Sequence, residues 1–189
     1  MLGKLKLRFA VIAAVAIMLT LLVQPTLAYY TTVGTATNIV TSGNIKLKIH
    51  ETTDQGTPFP EEGVYIIPGD VVSKVVTVEN ICEHPFYLRV KVISSTTSEE
   101  VSVEDCFKLN IDTDSWIFKD GWLYYNYVLR PGEMSHHVFS KVLIVGETVD
   151  NSYIGKTLSL TILAQAVQSE NNPITDGDST TASGWPAEE

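Results

Sequence analysis

The chain has 189 residues, a formal charge of -9 and a hydrophobic content of 44%. That length fits one domain plus accessory segments, and the acidic balance disfavours nucleic acid as a partner.

Residues 1–28 have the three-part layout of a secretory signal peptide. Lys4, Lys6 and Arg8 form a positive start, Phe9 to Val23 is a mainly apolar run, and Gln24-Pro25 breaks it before Thr26-Leu27-Ala28. A run of about fifteen apolar residues is short for a membrane span, which needs roughly twenty. Cleavage is expected between Ala28 and Tyr29, giving a secreted chain with no membrane segment after processing. Removing three cations and no acid moves the formal charge from -9 to about -12.

Residues 29–43 form an N-terminal arm rich in Thr, Ala and Gly, with Val33, Ile39 and Val40 as its larger apolar side chains. It reads as an extended segment or a first edge strand. From 44 to 168 the dominant pattern is period-two alternation. Ile45, Leu47 and Ile49 alternate with Lys46, Lys48 and His50, while Phe86, Leu88, Val90 and Val92 alternate with Tyr87, Arg89 and Lys91. The last such run sets Leu158, Leu160, Ile162, Ala164 and Ala166 against Ser159, Thr161 and Gln165.

Further strands are expected within Val71–Ile81, Ser115–Lys119, Gly121–Leu129 and Ser135–Val145. Asp120-Gly121 is a type I′ hairpin signal, because both central residues of that turn need positive φ. Pro68-Gly69-Asp70 and Arg130-Pro131-Gly132-Glu133 mark two more turns. Glu51 to Gly63, with Pro58 and Pro60, reads as a surface loop. Residues 169–189 are polar and acidic with almost no apolar residues except Ile174 and Trp185, a composition that predicts disorder. The fold class is all-β: a two-sheet, jelly-roll-like β-sandwich, since each sheet needs a second layer to bury its apolar face, preceded by the signal helix.

Cys82 and Cys106 would both lie in an oxidising compartment. A disulfide between them would close a loop of about twenty-five residues and add about 3 kcal/mol; two unpaired buried thiols are the alternative. Neither has CxxC spacing. No metal or cofactor motif is present: His50, His84, His136 and His137 offer no HExxH pattern, and adjacent strand residues 136 and 137 point to opposite faces. Asp112, Asp114 and Asp120 lack the spacing of an EF-hand loop. No Gly-x-Ser-x-Gly elbow occurs, and neither cysteine has a recognisable histidine partner nearby. Trp116, Trp122, Tyr124, Tyr125 and Tyr127 cluster around the Asp-Gly hairpin, where core packing and cross-strand pairing explain most of them and sugar stacking is the other reading.

The chain resembles the TasA/camelysin family of secreted bacterial proteins, whose precursors carry a SipW-type signal peptide. The resemblance runs through Ala28-Tyr29-Tyr30, the stretch from Thr37 to Leu47 with its Ser42-Gly43-Asn44, Ile67-Pro68-Gly69-Asp70, Val76 to Asn80, Tyr124 to Tyr127, Leu129 to Glu133 and Leu160 to Gln168. It departs after Asn80, where the family often has Gly and this chain has Ile81-Cys82-Glu83-His84. The resemblance implies a non-enzymatic subunit of cell-surface or biofilm-matrix fibres that self-assembles or joins related fibre subunits. In that family the arm exposed by a SipW-type signal peptidase is donated to a neighbour's sheet. Val33, Ile39 and Val40 are then the side chains expected to fill the acceptor groove, unless the arm folds onto its own domain. The family also implies an alternative metallopeptidase activity of the camelysin type, and the aromatic hairpin suggests a monomeric polysaccharide-binding or surface-binding module.

Overall fold

The computed structural model describes residues 30–38, 45–97, 102–103 and 105–186. The signal segment, Ala28, Tyr29, Ile39 and Val40 lie outside the described residues.

The architecture is all-β. A six-stranded sheet contains β1 (Tyr30–Asn38), β3 (Val64–Ile66), β6 (Phe86–Thr96), β8 (Trp116–Lys119), β9 (Trp122–Tyr125) and β11 (Thr157–Gln168), in the order β3-β1-β11-β6-β9-β8. The facing layer is assembled from two smaller sheets. One pairs β2 (Leu47–Thr52) with β5 (Val75–Asn80), and the other orders β4 (Val71–Ser73), β10 (Phe139–Ile144) and β7 (Phe107–Ile111) as β4-β10-β7. The two sheets join because residues 133–138, leading into β10, run beside β5: Val138 N–H donates to Val76 O at 2.8 Å, Ser135 N–H to Val78 O at 2.8 Å, and Asn80 N–H to Glu133 O at 3.0 Å. Most connections pass from one layer to the other, as expected of a jelly-roll-like sandwich.

Alternation places the core. Ile45, Leu47 and Ile49 are buried between exposed Lys46 and Lys48, and Val76, Val78 and Asn80 alternate in the same way along β5. These residues meet Leu88, Val90, Leu158, Leu160 and Ile162 from the six-stranded sheet and Phe139, Val142 and Ile144 from β10 in one apolar cluster. The Val-rich segment from Val71 to Ile81 is divided into β4 and β5 at Lys74, whose N–H donates to Ser140 O at 3.1 Å and whose side chain turns inward to 3% exposure.

Turn chemistry agrees with local expectation. Asp120 and Gly121 have φ of 50° and 80°, the left-handed pair of a type I′ turn between β8 and β9. The two Pro-Gly turns share one construction. Ile67 N–H donates to Asp70 Oδ2 at 2.8 Å and Arg130 N–H to Glu133 Oε2 at 2.9 Å, so in each a carboxylate three residues on clamps the turn entrance. Where β10 slips register against β7 between Phe139 and Val142, Asn110 Oδ1 takes up the displaced donors, Ser140 N–H at 2.9 Å and Lys141 N–H at 2.6 Å.

The structure differs from the composition at the tail and chooses between the two readings of the cysteines. Residues 169–186 are folded against the outer face of the six-stranded sheet, so the disorder predicted from their composition is replaced by a docked tail. Its few apolar residues are the reason: Ile174, Ala182 and Trp185 pack with Tyr87 and Val167 into a second, small apolar cluster. The disulfide is also absent, because both thiols are free. Cys82 follows β5 near Glu133, whereas Val145 N–H donates to Cys106 O at 2.9 Å. The cysteines therefore sit at opposite ends of the 133–145 segment, tens of ångströms apart at about 3.3 Å per residue, far beyond the roughly 7 Å Cα separation a bridge allows.

Candidate functional site

The arm forms a strand in the body of the sheet. β1 pairs in parallel with β11, from Thr31 opposite Thr157 to Asn38 opposite Ala164, and antiparallel with β3, from Tyr30 opposite Ile66 to Thr32 opposite Val64. β11 is held on its other side by β6, from Leu158 opposite Thr96 to Gln168 opposite Phe86. β1 thus occupies a slot whose walls are β11 and β3. Among the described residues every strand pairing other than β1 with β11 is antiparallel. Of the arm residues singled out by sequence, Val33 lies in β1 with Ser159 as its register partner.

The docked tail is held by side chains. Arg89, 7% exposed on the outer face of β6, donates from Nε and Nη2 to Gln165 Oε1 at 2.9 and 2.6 Å, from Nη1 to Tyr124 Oη at 3.1 Å and from Nη2 to Pro186 O at 3.1 Å. Its guanidinium lies between the rings of Trp122 and Trp185, 4.1 and 4.7 Å from their centroids. A buried cation is thus met by neutral acceptors and aromatic faces. Trp185 also meets Tyr124 edge-on at 5.5 Å, and Lys119 Nζ donates to Thr180 Oγ1 at 3.0 Å. Within the tail, Asn172 and Ser183 exchange Nδ2–H to O at 2.9 Å and N–H to Oδ1 at 3.0 Å. Asp178 caps the short turn Ser179–Thr181, and the hydroxyl and N–H of Thr180 hold its carboxyl below the usual range. Alternation alone puts Arg89 on the outward face of its strand, and the sequence signal of its burial is the pair Ile174 and Trp185 in an otherwise polar tail.

The aromatic hairpin is mostly structural. Trp116, Trp122, Tyr124 and Tyr125 are buried, and Trp122 lies beneath Arg89. Tyr125 stacks on Trp116 at 4.9 Å, and its hydroxyl accepts His136 N–H at 3.2 Å; burial pushes the phenol above its usual range. Tyr127 remains exposed. An apolar pocket of about 370 Å³ opens between β6, β7, β8 and β9, lined by Val90, Leu109, Ile111, Trp116 and Leu123 with Thr113 as its one hydroxyl. It offers no acid, base or nucleophile pair.

Titratable groups are dispersed. Among the described residues no three His, Cys, Asp or Glu side chains are grouped to hold a metal ion. His50 pairs with Glu79 at 2.7 Å, and Asp112 is engaged by Ser115, whose hydrogen bond lowers its pKa. Cys82 donates its thiol to Asn80 Oδ1 at 3.0 Å and His84 O at 3.1 Å; buried Asn80 also donates to Leu129 O and His84 O, so the turn after β5 hangs on one side chain. Cys106 donates to Ser102 O at 3.3 Å, and burial pushes its thiol up against the opposing hydrogen bond of Tyr153. Lys74 and Glu51 form a deeply buried ion pair at 2.9 Å, with the Lys74 ammonium 4.2 Å over the Phe59 ring.

Comparison with protein-family models, with curated proteins and with solved structures finds no match to this chain.

Proposed function

We propose that this chain is an exported structural subunit of cell-surface or matrix fibres, and that copies are linked by donation of β1 into a neighbour's sheet. The observation that carries the reading is the placement of β1: an N-terminal strand, tethered through residues 39–46, filling a slot between β3 and β11. Main-chain hydrogen bonds give such a slot its affinity, and an identical strand from a second copy satisfies it equally. A slot left empty would present the long edge of β11, a template for strand addition. Donation from one patch to a different patch is heterologous and generates open filaments when the rotation does not close. The resemblance to TasA/camelysin proteins supports the same reading, with export and cleavage after Ala28 by a SipW-type peptidase as its first step.

The reading is tested by locking β1 in place. Thr35 and Thr161 are register partners, so Thr35→Cys/Thr161→Cys can bridge β1 to its own β11. The oxidised variant beginning at Tyr29 should stay monomeric by size exclusion and electron microscopy, while the reduced variant and the parent chain form filaments. Filaments from the oxidised variant, or a parent chain that never assembles, would sink the donated-strand reading.

A further inference from the structure

Lys74 and Glu51 form a pair that the fibre reading leaves unused. Lys74 is 3% exposed, in the break between β4 and β5; Glu51 is in β2, two residues before the loop that carries Phe59. The ammonium nitrogen lies 2.9 Å from Glu51 Oε2; Nζ and Oε1 are both shut off from solvent, and Nζ meets no hydrogen-bond partner beyond that carboxylate while Oε1 meets none. Phe59, itself buried, closes the other side of the amine with its ring 4.2 Å away. Two opposite charges taken out of water with so few compensating hydrogen bonds are poorly stabilised as ions.

We propose that Lys74 and Glu51 condense to an intramolecular amide, a covalent cross-link between β2 and the β4–β5 junction. The ion pair first becomes a neutral pair by moving one proton from Nζ to the carboxylate. The amine lone pair then attacks Cδ of Glu51, the new N–C bond forms, and one C–O bond breaks. The departing oxygen takes the acid proton and one amine proton and leaves as water, so nothing is oxidised or reduced and no co-reactant is needed. Oε1, which accepts no hydrogen bond, is free to receive the proton during the transfer. Burial lowers the Lys74 pKa, more strongly than the carboxylate raises it, which favours the neutral amine that the attack requires. The folded core holds the two groups together and excludes water, replacing the encounter of separate amine and acid by one fixed approach. A bond at this place needs no partner chain and is independent of whether β1 is donated.

Intact-mass spectrometry of the folded chain beginning at Tyr29, followed by peptide mapping, tests the proposal. The expected mass is one water below that of the sequence, with a branched peptide joining Glu51 to Lys74. Glu51→Gln should form the same amide by losing ammonia and so reach the same final mass, whereas Lys74→Met should keep its full mass. Resistance to protease is measured on each variant, so that an unfolded variant is not scored. A folded parent chain at full mass overturns the proposal, as does a missing water mapped to an Asp-Gly step such as Asp120-Gly121 or Asp176-Gly177.

Discussion

The backbone ladder of the N-terminal strand and the side-chain clamp of the C-terminal tail are two ways of attaching a chain end. β1 joins through a ladder of backbone hydrogen bonds to β11 and β3; the tail lies across a sheet face and is held by the Arg89 guanidinium between Trp122 and Trp185, with Asn172, Asp178 and Thr181 fixing its turns. A backbone ladder reads little of the side-chain sequence and can be satisfied by any copy of the strand. A cation clamped between two particular rings is satisfied at one place. On the donated-strand proposal, the contrast explains why exchange between molecules is assigned to the N-terminal segment and closure of its own domain to the C-terminal one.

The sharpest way to break the contrast is to remove β1. A chain beginning at Gly43 should lose about 5 kcal/mol, or roughly 10–20 °C in Tm, because β11 loses one neighbour and β3 loses its sheet partner. Calorimetry with and without an added peptide of residues 29–43 checks this, and the peptide should restore most of the loss. A truncated chain as stable as the parent would show that the ladder matters little.

On the other side, Trp185→Ala should cost about 1–2 kcal/mol through lost packing and cation–π contact. Limited proteolysis should then cut within 169–186 while the core survives, and tryptophan emission should shift to the red as Trp122 is uncovered. A tail equally protected in the variant would mean that its internal turns, not Arg89, hold it.

A smaller effect comes from Asp178. Its carboxyl is held below its ordinary value of 3.8, first by the Thr180 hydroxyl and then by the Thr180 N–H. The folded state therefore binds fewer protons than the unfolded state in that range. Its contribution is complete above the ordinary value and is lost as pH falls through the depressed folded value. Protection of the tail should weaken only in that acid window, and Asp178→Asn should reduce the dependence; protection unchanged in acid would remove the cap from the account.

The smallest expected effect is none: reductant should leave the Tm of the parent chain unchanged, since both cysteines are free. In the native state Cys82 should alkylate ahead of buried Cys106. A Tm that drops on reduction would restore the bridge.

Much of the sandwich was legible from alternation, because a half-buried strand must turn every second side chain inward wherever it lies. Ile45, Leu47 and Ile49 show this, and Asp120-Gly121 shows the same legibility for a hairpin. The candidate site was less legible. The arm could be recognised as a β-prone segment, but its parallel pairing with β11 joins residues far apart in the chain, and no local pattern encodes that choice. Arg89 shows the converse error: alternation places it correctly on the outward face, and only the returning tail makes that face an interior.

By itself, the amino-acid order determined the class of fold, the approximate strands, the hairpin and the two carboxylate-clamped Pro-Gly turns, because each depends on neighbours within a few residues. The tertiary structure alone decided that β1 lies between β3 and β11, that Trp185 covers Arg89, that Cys82 and Cys106 stay far apart, and that Lys74 meets Glu51. Those outcomes depend on which distant segments share the limited area of two sheets, a competition settled by summed burial and hydrogen bonding rather than by any local preference.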